Sequence, residues 1–147
     1  MPLFTLPEID REKTKAAVES ALEKYRICLL TLDEKQLPKI TQTFSLTPPT
    51  NTNEFRSSTE EVAIANADRE RAKLQYIERV IKAVNRLSLQ EREIIIRRYL
   101  NEESEFDYQI YSSMGLSERQ FYRIKSKAFY KLAFILKIEV VKERQVG

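Results

Sequence analysis

Residues 104–136 read SEFDYQIYSSMGLSERQFYRIKSKAFYKLAFIL, and this stretch decides the fold. Its first part is a short helical pattern that turns Ile110 and Met114 to one side. Gly115 is the only glycine before the last residue, and it suits the left-handed position just past a helix end because it has no Cβ atom. Ser117 and Gln120 then have the spacing of a capping box, which starts a second helix. The stretch therefore predicts a helix-turn-helix over residues 104–136.

The second predicted helix is amphipathic and basic. Its apolar residues recur at steps of three and four, which predicts a buried stripe. The stripe comprises Phe121, Ile124, Ala128, Leu132 and Ile135, and the opposite face carries Arg119, Tyr122, Arg123, Ser126 and Lys127. Residues 117–136 contain five basic side chains and one acidic one, a net charge of +4, whereas the whole chain has +3. Such focused charge is typical of a surface that meets DNA phosphates, and a solvated basic face is the alternative.

The exposed face predicts two kinds of DNA contact. Arginine matches guanine O6 and N7 in the major groove, and a tyrosine ring can meet a thymine methyl group. Predicted base contacts are Glu118, Arg119, Gln120, Tyr122 and Arg123. Phosphate contacts position a protein without reading sequence. They are assigned to Ser117, Lys125, Ser126, Lys127 and Lys131.

Three segments carry a resemblance to a known family: 87–100, 110–117 and 121–132. Together they resemble region 4 of bacterial sigma factors, the helix-turn-helix that reads the −35 promoter element. The small size, the long N-terminal extension and the tail 132–141 more closely resemble the ArpU-type phage late-gene regulators. That resemblance implies action on packaging and lysis operons. It also implies that the usual base-contacting positions of sigma region 4 correspond to Glu118, Arg119, Tyr122 and Arg123.

Composition argues against catalysis. The chain has no histidine, which removes the commonest general base and metal ligand. The adjacent acids at 60–61 and 102–103 would diverge on a helix instead of converging. Cys28 lies among apolar residues and is interpreted as core filler. The sequence thus predicts no enzyme, no cofactor and no metal. A single cysteine and the lack of a long apolar run predict a cytoplasmic protein without a membrane span.

The rest of the chain predicts further helices. An N-terminal helix should begin near Pro7 and end near Thr31, with an apolar stripe that needs covering by its own domain or by a second copy. A Pro- and Thr-rich linker follows, and a long helix runs from about Thr59 towards Arg86. Ser88 and Glu91 form a second capping box, followed by a helix with Arg97 and Arg98 pointing outward and an acidic loop at 101–105. The long helix before this capping box carries an apolar stripe that we predict packs mainly within the chain. The stripe comprises Leu74, Ile77, Ile81 and Val84.

The predicted fold class is all-α. Its parts are an N-terminal helical arm (1–35), a linker (36–58) and a helical DNA-binding domain (59–147) that contains the helix-turn-helix. The predicted function is sequence-specific binding of double-stranded DNA by a transcriptional regulator that activates phage or prophage late genes. Two alternatives remain, a small terminase-like packaging subunit that recognises DNA and a sigma-like adaptor of RNA polymerase. Beyond DNA, the candidate partners are RNA polymerase and a second copy bound through the N-terminal or C-terminal helices. The predicted location is the bacterial host cytoplasm, at the nucleoid.

Overall fold

The computed structural model describes residues 4–32 and 60–143, and helices dominate both ranges. They are α1 (Arg11–Leu30), α2 (Glu60–Val84), α3 (Leu89–Ile95), α4 (Asp107–Ser113) and α5 (Glu118–Ile135). A π-helical turn, Ile96–Leu100, continues α3. Within the described ranges the only β pairing is an isolated bridge between Ile9 and Val141. The all-α prediction is confirmed, whereas the predicted linker at 36–58 lies outside the described residues.

Helix α1 begins later than the sequence predicted. The carboxylate of Asp10 accepts a hydrogen bond of 3.0 Å from the backbone N–H of Lys13, so Asp10 is the N-cap and the helix starts at Arg11 rather than near Pro7. An N-cap acid satisfies an amide that has no partner inside the helix, which an early proline cannot do. The predicted stripe is correct, because Val18, Leu22 and Tyr25 are buried.

The main core joins α1, α2 and α5. From α2, the predicted stripe residues Ile77, Ile81 and Val84 are at most 2% exposed. They pack in one cluster with Val18 and Leu22 of α1 and with residues of α5. Each fully buried side chain of this size contributes about 1.5–3 kcal/mol relative to an exposed one. The α1 stripe is thus covered by the chain itself, the first of the two alternatives that the sequence left open.

A second, smaller core lies where α3, α4 and α5 meet. Ile94, Ile110 and Phe121, one from each helix, are fully buried there. Met114 and Ile124 pack against them. This cluster fixes the angle between α4 and α5, so it determines where the exposed face of α5 points.

The C-terminal segment lies against the start of α1. The backbone N–H of Asp10 donates to the carbonyl of Val140 (2.8 Å), and that of Lys142 donates to Glu8 (3.0 Å). The buried hydroxyl of Thr14 is 3.3 Å from the Val140 carbonyl and accepts from the Val140 N–H at 3.1 Å. We call this pairing of residues 8–14 with 140–142 the terminal clip. Through it, the C-terminal segment packs on the start of the N-terminal helix.

The prediction that Arg97 and Arg98 point outward is wrong. Both side chains are half-buried, with 19% and 34% of their surface exposed. The π turn places more residues in one turn than an α-helix does, so side chains after Ile96 leave the α-helical register. Arg97 consequently binds the carboxylate of Glu105 through two bonds of 2.7 Å and also reaches Ser113 at 3.2 Å. It ties the loop before α4 to the end of α4.

Candidate nucleic-acid interface

The turn between α4 and α5 has the geometry that the sequence predicted. Gly115 has a φ of +70°, in the left-handed region. Its N–H donates to the carbonyl of Ser112 at 3.3 Å, and the N–H of Leu116 donates to Tyr111 at 2.8 Å. These two bonds form a Schellman motif, which satisfies the last carbonyls of α4. The chain can then start α5 two residues later at a defined angle.

The start of α5 is held by a complete capping box. The backbone N–H of Gln120 donates to the Ser117 hydroxyl at 3.1 Å, and the N–H of Ser117 donates to the side-chain oxygen of Gln120 at 3.0 Å. Both predicted contact residues are therefore engaged in the cap. Because the Gln120 oxygen is occupied, a base contact by Gln120 would come from its amide nitrogen, which is a donor. Such a donor pairs with acceptors such as guanine O6 or N7 and thymine O4.

The predicted reading face of α5 lies on the surface. Tyr122 is 43% exposed and also touches the buried ring of Phe121 edge-on, with ring centroids 5.3 Å apart. Its ring is therefore supported from behind while its outer edge meets solvent. The other predicted base contacts (Glu118, Arg119, Gln120 and Arg123) are exposed, and so are the predicted phosphate contacts Ser117, Ser126, Lys127 and Lys131.

Lys125 differs from the other predicted contacts. Only 13% of its side chain is exposed, and its ammonium lies 3.6 Å from the carboxylate of Asp107. It also lies 5.3 Å from the ring centre of Tyr99 and 5.8 Å from that of Phe129, which are cation–π distances. Burial lowers the pKa of Lys125, and the charge of Asp107 opposes that effect. A phosphate contact by Lys125 would require the side chain to leave these partners.

Asp107, at the first turn of α4, is a residue that sequence reasoning missed. Its carboxylate accepts from Arg98 Nε at 3.1 Å and from the hydroxyl of Tyr122 at 3.2 Å, in addition to its contact with Lys125. The negative charge of Asp107 raises the pKa of Tyr122, and the Tyr122 hydroxyl donates its hydrogen to that carboxylate. Asp107 thus links the first helix of the motif to the reading face of the second. The only sequence signal was an acid in the first turn of a helix.

Lys131 is partly engaged as well. Its ammonium donates to the carboxylate of Glu91 at 2.9 Å, and its side chain is 49% exposed while that of Glu91 is 5% exposed. The same carboxylate accepts from the backbone N–H of Ser88 at 2.9 Å, and the N–H of Glu91 donates to the Ser88 hydroxyl at 3.3 Å. The predicted second capping box is confirmed. One buried carboxylate therefore connects the start of α3 to the fourth turn of α5.

Two phage-related proteins resemble this chain along almost its whole length. An uncharacterised phage-related protein of Listeria innocua is 38% identical over 142 residues, which cover 97% of this chain and 99% of that protein. The chain belongs to the family of this phage-related protein. Protein Gp66 of Listeria phage A118 is 30% identical over 142 residues, covering 95% of this chain and 97% of that protein. No family model and no solved structure matches the chain.

The comparisons establish a phage association for this family. The names of both relatives state no activity, so the sigma region 4 and ArpU-type resemblances stay predictions. Of the helices in residues 4–32 and 60–143, none combines the length and apolarity that crossing a bilayer requires.

Proposed function

We propose that this phage-related protein is a sequence-specific regulator of transcription that binds double-stranded DNA. The observation that carries the proposal is the placement of Arg119 and Arg123. They lie one helical turn apart on the exposed side of α5, directly after a Schellman turn and a capping box. In a helix-turn-helix protein the N-terminal residues of the second helix meet base edges in the major groove. Two exposed arginine side chains at that position are suited to recognise guanines.

Charge and rigidity support the proposal. The exposed cations of α5 meet solvent on the side away from the core, where phosphates could replace their counterions. The backbone under them is fixed by the buried Ile94, Ile110 and Phe121. A base reader must hold its side chains in register with the DNA, so a rigid support for α5 is what direct readout needs.

The phage association of the relatives and the ArpU-type resemblance support a proposal for the target. Late genes of a phage encode packaging and lysis functions, and we propose that the operator lies upstream of such genes. The protein would then act in the bacterial cell that carries the phage, on DNA at the nucleoid. RNA polymerase is the proposed second partner, by resemblance to sigma region 4.

Footprinting of the full-length protein on the genome that carries its gene tests this function. We expect one or a few protected sites upstream of late genes, with dissociation constants of about 10⁻⁸ M or lower, as for specific complexes. Light scattering of the same complexes would give a monomer or a dimer on the operator. Gel-shift assays on fragments of the same genome complete the test. Equal shifts of all DNA fragments would contradict the proposal. The absence of any gel shift at about 10 µM protein, where nonspecific complexes form, would also contradict it. A ring-sized assembly would favour a packaging subunit instead.

A further inference from the structure

A groove of about 570 Å³ lies between the start of α1 and the exposed side of α5. Arg11 and Lys15 of α1 line one side of it. Tyr122, Ser126 and Tyr130, one helical turn apart along α5, line the other. Tyr122 and Ser126 also belong to the predicted reading face. The groove is therefore continuous with the surface that we propose for base recognition.

The groove carries positive charge that no described residue neutralises. Arg11 and Lys15 are four residues apart, so they lie on the same face of α1, and both are exposed. Neither forms an ion pair with a residue in the ranges 4–32 and 60–143. The acid that lines the groove, Glu8, has Lys142 as a partner at 3.5 Å. An anion would thus meet two cations that have no ion-pair partner among the described residues.

The terminal clip fixes this arrangement. Val140 accepts a hydrogen bond from the Asp10 N–H and is bonded to the Thr14 hydroxyl through both its N–H and its carbonyl, which holds the first turn of α1 against the segment that follows α5. The first turn of α1 cannot move far from α5 without breaking these bonds. Arg11 and Lys15 therefore stand at a set distance from the reading face, as phosphate-contacting residues must in order to set the register of a protein on DNA.

We propose that this groove holds one phosphodiester backbone of the DNA whose bases meet Arg119 and Arg123. Arg11 and Lys15 contact its phosphates, and the hydroxyls of Ser126 and Tyr130 donate to phosphate oxygens. The inference rests on the proposed function and adds to it a second element, since the N-terminal helix becomes part of the DNA-binding surface. The occupant is argued from charge complementarity and from the continuity of the groove with α5.

The test compares the salt dependence of DNA binding for three variants. Arg11→Gln combined with Lys15→Gln removes both cations and leaves a shorter, neutral polar side chain at each position, and Lys15→Gln alone removes one. Lys13→Gln is the matched control, because Lys13 lies on the same helix and does not line the groove. Each lost phosphate contact should make the slope of log affinity against log salt less negative by about 0.9. We expect a change of about 1.8 for the double variant, about 0.9 for Lys15→Gln and much less for Lys13→Gln, on operator and random DNA alike.

A second measurement keeps base contacts and backbone contacts apart. Hydroxyl-radical footprints of the wild type should show backbone protection flanking the guanines identified by methylation interference. In the double variant this flanking protection should disappear while the guanine interference stays. All three positions are exposed, so melting temperatures monitored by circular dichroism should agree with the wild type.

The outcomes separate this inference from the proposed function. If the double variant and Lys13→Gln have equal slopes and footprints, the groove proposal is overturned and DNA recognition by α5 stands. If the slopes change as expected but no sequence is preferred, the groove is supported and sequence-specific regulation is refuted. If the wild type binds no DNA, both are refuted.

Discussion

Replacing Glu91 by alanine should destabilise the folded protein by about 3 kcal/mol. The Glu91 carboxylate is buried and accepts from the Ser88 N–H and the Lys131 ammonium, each at 2.9 Å. A hydrogen bond to a charged group contributes about 1.5–3 kcal/mol, and we assign a value in this range to the Ser88 bond. Lys131 is half-exposed, so its ammonium is hydrated again when Glu91 is removed. Its bond to Glu91 therefore contributes only about 0–1 kcal/mol to stability, as a surface ion pair does.

Thermal unfolding followed by circular dichroism measures this loss. For a chain of this size, about 3 kcal/mol lowers Tm by roughly 6–12 °C. Glu93→Ala is the matched control, because Glu93 lies on the same helix with half of its side chain exposed and only a long contact of 3.4 Å to Arg97. We expect its effect to stay below about 1 kcal/mol.

The Glu91 contribution should also depend on pH. Burial acts to raise the pKa of Glu91, but the hydrogen bonds from Lys131 and Ser88 outweigh it, and the pKa lies below its ordinary value of 4.5. Because the pKa is lower in the folded than in the unfolded chain, the contribution is present above pH 4.5 and is lost as the pH falls through the folded-state pKa. Glu91→Gln should flatten this part of the curve of stability against pH.

Equal Tm losses for Glu91→Ala and Glu93→Ala would refute the claim that the buried Glu91 carboxylate stabilises the fold.

Three further predictions concern backbone strain and a buried phenol. Gly115→Ala should cost about 1–2 kcal/mol in denaturant unfolding, because its Cβ meets nothing within 4 Å and only the φ of +70° is penalised; a loss above about 4 kcal/mol would contradict this. Lys137, the second residue after α5, has a φ of 58°, so Lys137→Gly should stabilise the protein by about 1 kcal/mol, and a destabilisation would show that the lysine side chain matters more than its backbone. Burial raises the pKa of Tyr25 to about 12, so its contribution to stability is present below pH 10 and is lost as the pH rises. Tyr25→Phe should reduce this loss of stability at alkaline pH. If the variant and the wild type lost the same stability between pH 9 and pH 12, the prediction would be contradicted.

Signals that act within one turn of helix were readable from the sequence. Gly115, Ser117 with Gln120, and Ser88 with Glu91 all work through bonds between residues three to five positions apart, and the structure has each of them as predicted. The buried stripes were equally readable, since helical periodicity places them on one face.

Contacts between distant parts of the chain were not readable. Glu91 and Lys131 are 40 positions apart, and Asp10 and Val140 meet only because α1 and α5 pack side by side. Their spacing carries no signal before the fold is known, so the partial engagement of Lys131 and the groove beside α5 were missed. The turn at Lys137 was missed for another reason, because the same Schellman bonds are made there without a glycine, from Lys137 to Phe134 at 3.2 Å and from Ile138 to Ala133 at 2.8 Å.

The reading face of α5 is tested most directly by the affinities of Arg123→Ala and Lys127→Ala for the operator and for random DNA over a range of salt concentrations. Arg69→Ala, an exposed arginine on α2, serves as the control. Arg123→Ala should weaken operator binding by about 1–3 kcal/mol with a much smaller effect on random DNA, and it should relax the preferred sequence. Lys127→Ala should weaken both DNAs equally and make the salt slope less negative by about 0.9. Equal losses on operator and random DNA for Arg123→Ala would contradict base recognition by α5.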